Sequence, residues 1–250
     1  WDGSRIIEPD VDINISVLYE DECLIAVNKT GNLPVHPAGR YFNNTLVAIL
    51  EDRNGRKVYP AHRIDRETSG VILLAFDGKY AGALSESLAM GSKEYLALVH
   101  GLFPGEEMMV DLPLGSDNES AVGKKRKAKA GGTETALTRF RKVLWAGEFP
   151  LVRCFPETGR MHQIRAHLEA AGYPIVGDKL YGRDKTAFLD FIRHGYTSEM
   201  EKRLLLPRSA LHAARLVFLH PQNKKKMIVR APLPKMFADF IRAQKNRKDL

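Results

Sequence analysis

The stretch His62-Arg63-Ile64-Asp65-Arg66-Glu67-Thr68-Ser69-Gly70 runs directly into Val71-Ile72-Leu73-Leu74-Ala75-Phe76. The second half decides the fold. Six successive apolar residues bounded by turn residues read as a fully buried strand. Thr68-Ser69-Gly70 is turn chemistry, because short hydroxyl side chains bond nearby backbone and glycine accepts unusual dihedrals. Asp65 therefore stands on a turn at the edge of a core strand, where loops on rigid scaffolds carry function. Arg63 and Arg66 flank it, and neighbouring cations favour the ionised form of a carboxyl group. An acid so placed suits the work of a nucleophile, a base or an anionic stabiliser. Charge pattern alone would make the group a surface ion pair contributing about 0–1 kcal/mol. The turn and the strand behind it weigh against that reading.

Outward from this strand the pattern alternates irregularly. Cys23–Val27 reads as a short buried strand, Lys29–Arg40 as a Gly/Pro loop, and Leu46–Leu50 as the start of a helix. Asp77-Gly78 is a turn before a helix over Lys79–Met90, and Lys93–Val99 alternates as a strand. Thr133–Trp145 and Pro150–Phe155 read as a strand pair. Thr158-Gly159-Arg160 opens a helix that runs to Ala171 and is stopped by Gly172. Residues 184–203 read as helical and charged, and Leu211–Leu219 and Met227–Ala231 as strands. Lys235–Gln244 reads as a closing helix with Met236, Phe237, Phe240 and Ile241 on one face. Strands in series with helices between only some of them predict an α+β fold. Its central sheet is mixed and largely antiparallel, with flanking helices and loops. The chain carries no glycine-rich phosphate loop or dinucleotide fingerprint. No linker divides it, so a single domain over 1–250 is expected.

Composition narrows the function. With 250 residues, 44% apolar and 27% charged, the chain can bury a sizeable core. No stretch approaches the ~18 apolar residues of a membrane span, and no signal segment opens the chain. Position 1 is Trp rather than Met. Cys23 and Cys154 each sit in an apolar run and read as small hydrophobes rather than a disulfide scaffold or metal site, which suits a reducing cytoplasm. The net charge of +8 points to a polyanionic partner. Lys124, Lys125, Arg126, Lys127 and Lys129 cluster in the Gly/Ser/Asn-rich stretch Gly115–Gly132, which reads as a flexible basic loop. Lys224, Lys225 and Lys226 form a second cluster, and Arg242, Lys245, Arg247 and Lys248 a basic tail. Such a loop can neutralise nucleic-acid phosphates and release their counterions.

A second dense segment is Thr158-Gly159-Arg160-Met161-His162-Gln163-Ile164-Arg165-Ala166-His167-Leu168. On a helix, His162, Arg165 and Glu169 would share one face, and Ile164, His167, Leu168 and Ala171 the apolar face. The two histidines match no zinc helix, since no third ligand stands at a suitable interval, and hydrogen-bonded packing is their simpler role. Arg165, in a short and mostly apolar helix, is expected to be partly buried. A buried arginine needs a carboxylate. Asp65 is the candidate.

These two segments resemble the motifs of the RluA-type pseudouridine synthases, H-R-L-D-R-x-T-S-G and G-R-x-H-Q-I-R. Weaker matches follow in order. Asn28-Lys29-Thr30-Gly31 with Val35-His36-Pro37 resembles K-P-x-G…V-H-P. Lys93-Glu94-Tyr95-Leu96-Ala97-Leu98-Val99-His100-Gly101 resembles K-x-Y-x-A-x-V-x-G. Leu211-His212-Ala213 with His220-Pro221 resembles a late L-H-A…H-P strand. Thr30 stands where the family has proline, and Ile64 where it has leucine. The stretch Pro34–Tyr41 resembles members that modify tRNA.

The resemblance implies an RNA isomerase that turns uridine into pseudouridine without a metal or organic cofactor, in a cleft at the middle of the sheet. It implies tRNA or rRNA as partner, a monomer, and no N-terminal RNA-binding domain in this chain. By the same resemblance Asp65 acts at the ribose, as nucleophile or as base toward a glycal. Tyr95 packs on the target base, Arg165 pairs with Asp65, and Arg63 enters the RNA stack. The candidate RNA contacts are Arg63, Arg66, His62, Arg160, His162, Lys124, Lys125, Arg126 and Lys127. Physical chemistry supports these roles. Flipping a uridine from a stem costs a few kcal/mol, and stacking on an aromatic returns ~1–3 kcal/mol. Two other readings are a non-catalytic RNA-binding module on the same fold and a metal-free nuclease using His62 and Asp65. The nuclease would shorten RNA, whereas an isomerase leaves its length unchanged.

Overall fold

The apolar run becomes β4 (Ser69–Ala75), every residue of which is buried in the computed structural model. The structure describes residues 8–120 and 122–246. They group into two compact units. One comprises the residues up to Ser92 with Ala213–Pro232, and the other Lys93–His212 with the residues from Leu233 onward.

In the first unit β4 pairs antiparallel with β2 (Leu24–Lys29), from Leu24 opposite Ala75 to Lys29 opposite Gly70. β1 (Ser16–Glu20) lies outside β2, and β3 (Tyr59–Pro60) pairs with the end of β4. On the other side stands β11 (Leu211–Leu219), with β12 (Lys226–Arg230) beyond it. Alternate residues of a strand point to opposite faces. Val71, Leu73 and Ala75 pack with Leu84 and Leu88 of α2 (Gly78–Met90). Ile72 and Leu74 pack with Leu46 and Leu50 of α1 (Leu46–Asn54). One strand thus feeds two cores, which is why its sequence is continuously apolar rather than alternating. Side-chain caps start both helices. Thr45 accepts the Ala48 N–H and Asp77 that of Lys79.

The second unit holds β5 (Ser92–Leu98), β6 (Glu107–Asp111), β9 (Leu137–Ala146) and β10 (Phe149–Pro156). Their order is β5-β10-β9-β6, with antiparallel pairing throughout. The helices are α3 (Gln163–Ala170), α4 (Ala187–His194), α5 (Ser198–Leu204) and α6 (Lys235–Asn246). Phe237, Phe240 and Ile241 of α6 are buried, as their spacing requires.

Local chemistry moved several boundaries. The 184–203 segment is two helices, because Gly195 (φ +71°) ends the first and the Thr197 hydroxyl caps the second. The stretch expected as a flexible loop over 115–132 contains an antiparallel hairpin, β7 (Leu114–Ser116) with β8 (Arg126–Ala128). β9 starts at Leu137 rather than Thr133. Arg242 and Lys245 of the basic tail lie in α6, while Arg247 and Lys248 fall outside the described residues. No helix is long and apolar enough to cross a membrane, among the described residues.

Gly70 has φ +114°, and a Cβ there would stand 2.2 Å from the Ala213 carbonyl oxygen. Gly39 also has positive φ (+60°), but open space surrounds it. Gly70→Ala is therefore expected to cost about 3 kcal/mol or more, and Gly39→Ala about 1 kcal/mol. Urea denaturation checks the difference, and equal midpoints would refute it.

Candidate active site

Asp65 lies on a four-residue turn closed by the Thr68 N–H donating to the Asp65 carbonyl, 3.1 Å. Behind the turn is a buried cation. The Lys29 ammonium, fully buried, donates to the carbonyls of Thr30 (2.7 Å), Leu33 (2.8 Å) and Arg66 (3.1 Å). The Leu33 N–H bonds the same Arg66 carbonyl at 3.1 Å. These bonds tie the loop after β2 to the residue next to Asp65 and hold the turn in place. The lysine of the Asn28-Lys29-Thr30-Gly31 match thus braces the turn, a role its motif alone did not disclose.

The flanking residues divide. Arg63 is exposed, and Arg66 is half-buried. Arg66 donates to the Tyr41 hydroxyl at 2.8 Å and meets the Glu67 carboxylate at 3.3 Å. The His62 Nε2 accepts the Leu73 N–H of β4 at 3.1 Å. His62 and Arg66 are thus anchored within the unit, while Arg63 faces solvent. Burial, and then the Arg63 charge, push the pKa of His36 down.

In the second unit, Tyr95 of β5 stands opposite Cys154 and packs, partly buried, against the unit's main core. Burial pushes the Cys154 thiol up, so it serves as a small apolar side chain. The helix bearing Arg165 begins later than its pattern predicts. His162 has φ +59°, and α3 starts at Gln163. His162 is therefore not on the helix and shares no helical face with Arg165. The Gln163 side chain explains the shift. Its Oε1 accepts the Arg160 N–H (3.0 Å) and the Thr158 hydroxyl (2.7 Å). Its Nε2 donates to the Leu137 carbonyl and the Thr138 hydroxyl, each at 3.0 Å. Gln163 so closes residues 158–162 as a loop against β9. Arg160 is exposed, and its Nε donates to the Thr135 carbonyl at 3.3 Å.

Arg165 finds its carboxylate in Asp178. The pair is bidentate, Nε to Oδ2 at 2.6 Å and Nη2 to Oδ1 at 2.9 Å. Asp178 also accepts the N–H groups of Leu180 and Tyr181, each at 2.9 Å, and the Ser209 hydroxyl at 3.2 Å. Burial pushes its pKa up, but the Arg165 charge and hydrogen bonds, helped by the two backbone amides, outweigh burial and hold it at about 2. The Arg165 guanidinium carbon lies 4.7 Å from the centre of the buried Tyr181 ring. Asp178 and Tyr181 escaped the sequence reading. Their signal is Gly177-Asp178-Lys179-Leu180-Tyr181-Gly182. A Cβ at Gly177 would meet the Arg208 carbonyl oxygen at 2.2 Å, and one at Gly182 the Asp178 carbonyl oxygen at 2.1 Å. His167 is buried between the Thr138 hydroxyl and the Leu112 carbonyl, each at 2.9 Å, with burial pushing its pKa down. It packs, as expected.

The basic segment is more neutralised than its sequence implies. Lys125 meets Asp117 and Glu169, both at 3.3 Å, and Lys127 meets Glu119 at 2.6 Å. Arg126 pairs with Glu134. Lys124 is exposed and forms no ion pair among the described residues. Of these pairs only Lys127–Glu119 is exposed, and such a pair contributes little, so phosphates can compete for Lys127 as well as for Lys124.

Among the described residues one group, Asp21, Cys23 and His220, places metal-ligating atoms within 4.8 Å of one another. All three are already engaged. The His220 Nε2 and Asp21 Oδ2 lie 2.7 Å apart, and the Cys23 and Leu24 amides bond the other Asp21 oxygen. The Cys23 thiol meets Gln222 at 3.4 Å. The group is a hydrogen-bonded knot joining the start of β2 to the end of β11.

The fold is that of the pseudouridylate synthases. It superposes on human RNA pseudouridylate synthase domain containing 4 with a TM-score of 0.71 at 24% identity, covering 92% of this chain and 93% of that one. The profile of a family described as RNA pseudouridylate synthase matches residues 23–170. The chain is 34% identical over 236 residues to ribosomal large subunit pseudouridine synthase D of Zymomonas mobilis, covering 89% of this chain and 70% of that one. It is 32% identical over 243 residues to tRNA pseudouridine synthase C of Pasteurella multocida, covering 92% and 96%. It is 37% identical to the mitochondrial tRNA pseudouridine(32) synthase of Saccharomyces cerevisiae, covering 68% of this chain and 38% of that protein. The chain belongs to the RluA-type pseudouridine synthase family, whose enzymes isomerise uridine in RNA.

Asp178 carries a pH signature. Its pKa is about 2 in the folded protein against an ordinary 3.8. Its stabilisation is complete above the unfolded value and is lost as pH falls through the folded one. Asp178→Asn is expected to cost about 3–5 kcal/mol at pH 7, because it strips a buried guanidinium of its partner. The gap from wild type should narrow between pH 4 and pH 2. Urea midpoints across that range check it, and a gap that stays constant down to pH 2 would sink the assignment.

Proposed function

We propose that this chain binds structured RNA, tRNA or rRNA, flips out one uridine and rejoins its base to the ribose through C5. The observation that carries this reading is Asp65 on a turn braced by buried Lys29, within a segment matched by the family profile. In this reading Asp65 attacks the ribose or removes a ribose proton, the N1–C1′ bond breaks, and a C1′–C5 bond forms. The C5 proton is lost and N1 gains one, so composition is unchanged. Tyr95 packs on the turned base, and stacking offsets part of the cost of flipping. Arg165, oriented by Asp178, is the cation that this reading assigns to the Asp65 carboxylate. Exposed Arg63 enters the gap left in the RNA stack, as a flat guanidinium can both stack and bind phosphate. The chain works as a monomer in the cytoplasm, and its free, buried cysteines suit a reducing compartment.

The test uses total RNA from a strain lacking this gene, labelled with tritium at uridine C5. Wild type is expected to release tritium and add carbodiimide-dependent reverse-transcription stops, while Asp65→Ala does neither. A wild type that adds no stop, or an Asp65→Ala that adds the same one, overturns the reading. Lys124→Ala is expected to weaken binding across RNA sequences and lower the salt slope by about 1. Nitrocellulose retention at several salt concentrations measures it.

A further inference from the structure

Tyr181 is fully buried, yet four polar partners from three parts of the second unit converge on it. Its hydroxyl accepts the Arg126 N–H of the hairpin strand β8 at 2.8 Å. The same hydroxyl lies 2.9 Å from the His162 Nδ1, in the loop before α3. The Lys125 ammonium stands 5.3 Å from its ring centre, and the Arg165 guanidinium carbon 4.7 Å from it. Two cations on one ring, one from the hairpin and one from α3, are unusual. Cation–π attraction favours each, and the acids Glu169, Asp117 and Asp178 offset their mutual repulsion. Asp178, three residues earlier, both clamps Arg165 and fixes the Tyr181 backbone through its N–H. The ring is thus packed on Arg165, and its hydroxyl holds the hairpin backbone at Arg126, beside the contact that Lys125 makes with the ring.

We propose that Tyr181 is a positioning residue that sets the basic hairpin β7–β8 for RNA while its ring packs the Arg165 guanidinium. Neither task falls to Tyr181 in the motifs that marked the site. The proposal rests on the isomerase reading for Arg165, and its hairpin half requires only RNA binding. The two ends of the residue do separable work. The hydroxyl holds the hairpin, where the phosphate-binding cations stand. The ring and Asp178 hold the guanidinium. Removing the hydroxyl should therefore weaken RNA binding and spare the chemical step, whereas removing the clamp should do the reverse.

The experiment compares wild type, Tyr181→Phe and Asp178→Asn on the C5-tritiated RNA described above, with each variant also made as a double with Lys124→Ala. Tyr181→Phe keeps the ring and loses only the hydroxyl. Its KM for RNA is expected to rise about 5–10-fold, the scale of one lost hydrogen bond, with kcat within about twofold of wild type. Asp178→Asn is expected to lower kcat at least about tenfold with KM little changed. Lys124→Ala should raise KM several-fold in wild type and hardly at all in Tyr181→Phe, whose hairpin is already loose. Full additivity of the two substitutions, or a Tyr181→Phe that lowers thermal stability while leaving KM unchanged, overturns the proposal. Nitrocellulose retention of the same RNA reads the hairpin link independently of turnover. An absence of tritium release by wild type would therefore count against the isomerase reading and leave the hairpin result standing.

Discussion

From Val71 to Ala75 a strand buried on both faces carries only apolar side chains, and this constraint places the polar groups around Asp65. β4 supplies Val71, Leu73 and Ala75 to one core and Ile72 and Leu74 to another. With each apolar side chain contributing on the order of 1.5–3 kcal/mol through burial, no position along it is available for catalysis. Polar groups are displaced to the point where the chain enters the strand. Asp65 sits there, and so do the buried Lys29 ammonium that ties down the carbonyls around it and the His62 ring that caps a β4 amide.

The second unit follows the same logic with different means. Its chemistry lies in the loops that leave β10 and precede α3, closed by the Gln163 side chain, and in the turn around Asp178. Buried charge is tolerated because it is paired. Asp178 has every acceptor position engaged, by a guanidinium, two amides and a hydroxyl. Truncating either partner of such a pair is costly, although the pair itself adds little net stability. Arg165 thereby becomes a cation of defined direction. That direction, rather than its charge alone, is what the proposed role of Arg165 requires.

Much of the architecture was legible in the residues. β2, β4, β5, β10, β11 and α2 lie where apolar runs and helix caps place them, because each turns apolar residues to a core and their spacing records which ones. The start of α3 was misplaced, since Thr158-Gly159-Arg160 has helix-opening chemistry but the Gln163 side chain holds it as a loop. The hairpin β7–β8 was hidden by its composition. Lysines and glycines read as a loop, and the pairing of β7 with β8, with the ion pairs to Asp117, Glu119, Glu134 and Glu169, makes the segment regular.

The sequence by itself determined the family through its two motifs, and its local pattern marked the residues that could act. A carboxylate on a turn before an apolar strand, an arginine in a short helix and a surplus of cations are properties of neighbouring residues and of composition. Local patterns can record these. Tertiary structure alone decided how those residues are held. The clamp of Asp178 on Arg165 spans 13 residues, the Lys29 bond to the Arg66 carbonyl spans 37, and the Arg126 amide reaches Tyr181 across 55. Such contacts depend on how the chain closes on itself, and no periodicity of apolar residues encodes that closure. The same arginine could have met any acid within reach, and only the folded chain brings Asp178 to it.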